Sequence, residues 1–267
     1  MKTKVAIIGM GFVGGAIHSS FLNNANVELL AIDPAKGWLA SYIDIVNFDA
    51  VFVCVPSPQR TDGSCDTSIL VEVLKQLSIV DFKGVIISKV TAIPSVYLGL
   101  QSTYTNLVHA PEFLTAANAV SDYLNGSFAV IGGSTTAYRN EAERIIRMSQ
   151  PNLNSVAHCS IGEASFVKYT INSFLATKVI FMNEMAKLAE ENQCNWDNIK
   201  QAVGQDKRVG SSHMQVPGPD GDYGFGGMCF PKDTNAMIKF AEWCERDLSV
   251  LATAVAKNNK IRLTRPK

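Results

Sequence analysis

Lys4-Val-Ala-Ile-Ile-Gly9-Met-Gly11-Phe-Val-Gly14 is the stretch that decides the fold. The apolar run 5–8 reads as a buried strand, and the residues after Gly14 carry a helical pattern. Between them, the G-x-G-x-x-G spacing gives each glycine a task. Gly9 permits a tight turn, Gly11 lets backbone come close to a pyrophosphate, and Gly14 lets helix pack on strand. The helix start at Phe12 and Val13 then offers amides and a positive dipole end to phosphate oxygens. Asp33 closes the next apolar run, 27–32, about 20 residues further on. A carboxylate there accepts a ribose 2′-hydroxyl and repels a 2′-phosphate. These residues predict a dinucleotide site that favours NAD, with Lys36 the one nearby charge able to soften that preference.

Working outward, apolar runs recur at 51–55, 85–87, 107–108 and 128–131, each bounded by Gly, Pro, Asp or Asn. Their alternation with helical patterns predicts a parallel sheet flanked by helices. The alternation stops near His158. Ser160 and Glu163 then form an S-x-x-E capping box. The helix it opens reads to about Asn192, some ~30 residues and ~45 Å. A shorter helical pattern covers 196–203, a Gly/Pro-rich loop covers 210–227, and helix resumes at Pro231. The basic tail 257–267 is expected to fray. The predicted class is α/β, a Rossmann doubly wound parallel sheet over 1–158 and an all-α domain with a long central helix over 159–267. Apolar positions on the long helix exceed what one face requires, which predicts a homodimer through it.

Composition narrows the function. The 267 residues are 47% hydrophobic and 18% charged, with 24 basic and 24 acidic side chains. That balance gives no net field for nucleic acid or an anionic membrane. No apolar run reaches the ~18 residues of a membrane span. A cytoplasmic protein is expected. None of the six cysteines forms a C-x-x-C pair or lies at ligand spacing from a histidine, so no metal site is expected. By default each cysteine is a small buried hydrophobe.

Cys229 is the exception. In Gly224-Phe-Gly226-Gly227-Met-Cys229-Phe-Pro231-Lys232-Asp233, Pro231 suits the first helical turn and Asp233 favours it too. Cys229 therefore stands at a helix N-terminus, where the dipole favours a thiolate, and Lys232 would add to the effect. The glycines would let a substrate approach the backbone closely. Residue types alone leave a structural thiol as the alternative to a nucleophile. Lys168 and Asn172, four apart on one face of the long helix, are likewise either a solvated stripe or part of a site.

Taken together, these segments resemble the UDP-glucose/GDP-mannose dehydrogenase family. GMGFVG, VFVCVPSP, APEFLTAANAVSD, VIGG, VKYTINSFLATKVIFMNE, QDKRVG and GFGGMCFPKD come in the family's order. The resemblance implies a two-step, four-electron oxidation of a sugar-nucleotide primary alcohol to a carboxylate, using two NAD. It gives Cys229 the role of nucleophile, through a thiohemiacetal and a thioester. Lys168 would stabilise the oxyanion with Asn172 as its hydrogen-bonding neighbour. Asp233 would handle a water or proton, and Glu112 would assist thioester hydrolysis. Val55 and Pro56 are implied at the cofactor, and Phe113, Leu114, Phe225, Gly226 and Gly227 at the substrate.

The sequence departs from the family pattern in places. Ala92 stands where a threonine is expected, with Thr91 and Lys89 each displaced by one, and Ala116 replaces a second acid. Family members normally continue into a third domain that holds the nucleotide, whereas this sequence ends at Lys267. A short form lacking that domain would have less remote binding energy to position a substrate. Two other readings are a one-step hydroxy-acid or alcohol dehydrogenase, and an NAD-binding inactive remnant or regulatory subunit.

Overall fold

The computed structural model describes residues 1–263. The chain divides into two compact units, one made of Met1–Pro58 with Cys65–Lys168, the other of Gln59–Ser64 with Tyr169 onward.

The first unit opens with β1 (Thr3–Ile8), α1 (Phe12–Phe21) and β2 (Val27–Asp33). It continues through β3 (Trp38–Leu39), β4 (Ala50–Val53), α2 (Ser68–Ile79), β5 (Val85–Ser88), α3 (Pro94–Thr103) and β6 (Leu107–His109). Then come α4 (Ala119–Leu124), β7 (Phe128–Gly133), α5 (Thr136–Ser149) and β8 (Ser155–Cys159). The strands form one eight-stranded sheet in the order β3-β2-β1-β4-β5-β6-β7-β8. Side chains alternate across it. Ile7, Phe52 and Ile87 join Ile17, Phe21 and Ile145 on one face, while Ala6, Val53 and Ile86 join Leu70, Leu74 and Tyr97 on the other. Covering both faces explains why the central strands read as unbroken apolar runs. Each fully buried Ile, Leu or Phe contributes roughly 1.5–3 kcal/mol.

Two strand pairs depart from the parallel sheet expected from the sequence. β3 runs antiparallel to β2, and β7 runs antiparallel to β6. An antiparallel neighbour must start at the edge where its predecessor ends. The connection 110–127 therefore stays at the carboxyl end of β6, the edge where open α/β sheets bind ligands.

In α6 (Ile161–Glu191) the capping box forms as read. Glu163 accepts from the Ser160 amide at 2.7 Å, and the Ser160 hydroxyl accepts from the Glu163 amide at 3.3 Å. The unit boundary falls within this helix, after Lys168. The second unit continues with α7 (Trp196–Gly204), α8 (Phe230–Trp243) and α9 (Ser249–Leu263). Its core gathers Ala176, Ile180, Phe225, Leu251, Ala254 and Val255. The expected fraying of 257–267 is corrected for residues up to Leu263, which are helical. Asn258 and Arg262 tie this last helix to the loop around Gly224, and 264–267 lie outside the described residues. The default of buried cysteines is also corrected: Cys194, Cys229 and Cys244 are exposed, and the other three are half-buried. No described helix is long and apolar enough to cross a membrane.

Candidate active site

The glycine loop is built by close approach. Gly9 has φ +91°, and a Cβ there would sit 2.8 Å from the Cys54 carbonyl oxygen. A Cβ on Gly14 would meet Gly9 backbone and come 3.3 Å from Cys54 Cβ. At Gly11 nothing lies within 4 Å, and this residue caps α1 with no side chain bound to the first amides. Phe12 is exposed, Val13 half-buried, and the helix start therefore stays open to an anion. Asp33 Oδ2 accepts the Met10 amide at 2.8 Å, fixing the loop. Among the described residues its Oδ1 takes no hydrogen bond, leaving one carboxylate oxygen for a ribose hydroxyl. Lys36 donates to the Met10 carbonyl at 2.7 Å, so its ammonium is engaged by the loop. Val55 is half-buried and Pro56 exposed just beyond β4. An open helix N-terminus beside a half-satisfied carboxylate fits a dinucleotide.

At the carboxyl end of β6, Lys168 donates to the Glu112 carbonyl at 2.6 Å and to its Oε1 at 3.2 Å. The Leu114 amide holds Glu112 Oε2 at 2.7 Å. Lys168 is 4% exposed, so it is not part of a solvated stripe. Its ammonium lies 5.4 Å from the centre of the Phe113 ring, which stacks on Phe128 at 4.7 Å. Ala92 is buried and accepts the Ser165 hydroxyl through its carbonyl, while Ala116 begins an exposed turn.

A further buried polar group in the first unit is Lys89. It is 7% exposed, and its backbone extends the β5 ladder by donating to the Val53 carbonyl at 2.9 Å. Burial pulls its ammonium down to about 8, against smaller opposing effects of Cys54 and Glu112. Burial pushes the Cys54 thiol up to about 12. His109 is fully buried, stacked 4.1 Å from Tyr97, with Nδ1 on the Ser88 carbonyl and, among the described residues, no partner at Nε2. Burial lowers it to about 3, so the ring is neutral. The only sequence signal for this cluster was the displaced lysine.

In the second unit Cys229 is exposed and forms the N-cap of α8, with φ −92° and ψ −60°. Beneath it, Asp233 is 1% exposed. One carboxylate oxygen accepts from Asn172 Nδ2 at 2.6 Å, and the other pairs with the Lys232 ammonium. Asn172 is 5% exposed, so it too is no solvated position. The Phe225 ring belongs to the core and meets Phe230 edge-on at 6.1 Å. The space a side chain would need is taken by Asn258 at Gly224 and by Arg262 at Gly226, but is open at Gly227.

Comparisons with known proteins bear on the two domains. Residues 36–150 match the NAD-binding domain of the UDP-glucose/GDP-mannose dehydrogenase family, and residues 162–260 match its central domain. UDP-glucose 6-dehydrogenase of Rickettsia bellii is 33% identical over 226 residues, covering 82% of this chain and 51% of the relative. The chain thus spans about half the length of the curated relatives it matches. Two solved structures share the fold. One is a UDP-glucose dehydrogenase from Pyrobaculum islandicum, with TM-score 0.82, 23% identity, and coverage of 97% of this chain and 68% of that one. The other is the Mycobacterium tuberculosis 3-hydroxyisobutyrate dehydrogenase, with TM-score 0.76, 15% identity, and coverage of 99% and 95%. The chain belongs to the UDP-glucose/GDP-mannose dehydrogenase family and contains its NAD-binding and central domains.

Proposed function

We propose that this chain oxidises the primary alcohol of a UDP-glucose-like nucleotide sugar to the carboxylate, with Cys229 as nucleophile and two NAD per turnover. The observation that carries the reading is an exposed thiol at the start of α8, directly ahead of buried Asp233, which half-buried Lys232 and buried Asn172 both contact. When bound, NAD accepts one hydride at each of two oxidation steps. Gly9, Gly11, Gly14 and Asp33 would hold it.

Loss of a hydride from the alcohol carbon and a proton from its oxygen gives the aldehyde. The Cys229 thiolate adds to the aldehyde carbon, and the carbonyl oxygen takes a proton, forming a thiohemiacetal. Loss of a second hydride and the hydroxyl proton gives the thioester. Water then adds to the thioester carbonyl, the C–S bond breaks, and the acid leaves with the thiolate restored. The family resemblance gives Lys168 and Asn172 the oxyanions that appear along this course. The resemblance gives Glu112, held at both oxygens by Lys168 and the Leu114 amide, the proton of the attacking water. Asp233 fixes Asn172 and Lys232.

The reading includes a homodimer through α6. Phe174, Phe181, Met185 and Leu188 are exposed on this helix and at ~100° per residue fall in one stripe. A second reading, NAD binding without turnover, is favoured by Ala92 and Ala116 at positions where the resemblance expects a threonine and an acid. One experiment separates them: NADH production measured across UDP-glucose, GDP-mannose, related nucleotide sugars and free sugar phosphates. The proposal expects NADH with at least one nucleotide sugar. Cofactor binding with no NADH on any of them would overturn it in favour of the second reading.

A further inference from the structure

Three side chains from two helices hold the turn that leads to Cys229. On α6, Asn183 accepts the Gly224 amide through Oδ1 at 2.8 Å. On α9, Asn258 accepts the Phe225 amide at 2.7 Å. Both asparagines are buried, at 5% and 4% exposure. Arg262, one turn further along α9, donates to the Gly224 carbonyl at 3.2 Å. It pairs with Asp220 at 2.9 Å and faces Asp222 at 3.7 Å.

The guanidinium end of Arg262 also lies against Gly226. The φ of Gly226 is not positive, so backbone conformation does not require glycine there. A Cβ at that position would lie 2.5 Å from Arg262 Nη1 and 2.8 Å from Cζ. The missing side chain makes room for the guanidinium. Arg262 stays in this place although, among the described residues, its buried Nε has no hydrogen-bond partner, an arrangement that costs free energy.

We propose that Arg262 is a positioning residue for Cys229: its guanidinium, fixed by Asp220, Asp222 and the Gly224 carbonyl, lies on Gly226 and sets the turn from which Cys229 enters α8. The inference rests on the assignment of Cys229 as the working thiol. Its test uses residues 1–267 without substrate or cofactor, so the two ideas fail separately.

The experiment is the rate of Cys229 alkylation by iodoacetamide across pH, read by mass spectrometry of its peptide, with exposed Cys194 and Cys244 as internal controls. Arg262→Ala releases the turn and takes the thiol out of N-cap geometry. It is expected to slow Cys229 roughly tenfold near neutral pH and to move the midpoint of the profile upward. Gly226→Ala displaces the guanidinium and gives the same result. The double variant is no slower than either single one, because both remove one contact. Arg262→Lys, which keeps the charge opposite Asp220, recovers part of the rate. A wild-type profile in Arg262→Ala, or an equal further slowing by Gly226→Ala in that background, would overturn the proposal. So would parallel changes at Cys194 and Cys244, which would signal general loosening.

Discussion

Replacing Lys89 by methionine should stabilise the chain, and the gain should depend on pH in a defined way. The side chain is 7% exposed, and burial lowers its ammonium from 10.5 to about 8. At ~1.4 kcal/mol per unit, this is a cost of about 3 kcal/mol for the charged form in the folded state. The folded value lies below the unfolded one. Below pH 8 both states carry the proton and the full cost applies. Between about 8 and 10.5 the unfolded chain binds more protons, so wild-type stability rises with pH relative to the variant. Above 10.5 both states are neutral and the cost is gone. Methionine has similar length and no charge, so Lys89→Met should gain ~3 kcal/mol at pH 7, roughly 6–12 °C in Tm. That gain should shrink through pH 8–10.5. Paired thermal melts at several pH values cancel the other lysines and tyrosines. A variant less stable than wild type at pH 7, or a gain independent of pH, would refute burial as the dominant effect on this ammonium.

Gly14→Ala would press a methyl against Gly9 backbone and Cys54, so it should cost ~1–3 kcal/mol in stability and weaken NADH binding in a fluorescence titration. Asp33→Ala removes both the Met10 anchor and the free carboxylate oxygen; NADH affinity should fall roughly 10- to 100-fold by the same titration. Asp233→Ala takes away the carboxylate shared by Lys232 and Asn172 and should lower stability by about 3–5 kcal/mol in denaturant melts, with Asp233→Asn less damaging. Phe181→Glu places a charge in the exposed stripe of α6, so the sedimenting mass should drop to that of one chain. An unchanged mass would remove α6 as the interface.

The parts of the fold readable from sequence were those in which one local requirement dominates. β1, β4 and β5 are covered on both faces and so appear as apolar runs, and the capping box marks the start of α6 to within a residue. β3 and β8 were not legible. Trp38 and Leu39 are both exposed, and the residues of β8 are exposed or half-buried, so neither carries a burial signal. The reversed direction of β7 depends on how 110–127 turns back at the sheet edge, which no local pattern encodes.

The same division holds at the site. Gly9 and Gly14 were legible because a turn and a close approach leave no alternative to glycine. Asn183, Asn258 and Arg262 act on a loop that is distant in the chain, and an asparagine in a helix has no spacing that reveals such a partner. At Gly226 the local pattern suggests room for a substrate, whereas the fold fills that side with Arg262.

The central claim is that one exposed thiol makes this a four-electron oxidation. It is tested most directly by measuring, with the nucleotide sugar that supports NADH formation, the ratio of NADH to sugar acid in wild type and in Cys229→Ser. The account predicts two NADH per acid in wild type and no acid from the serine variant, with NADH binding unchanged. One NADH per product, or acid formed at the wild-type rate by Cys229→Ser, would contradict it.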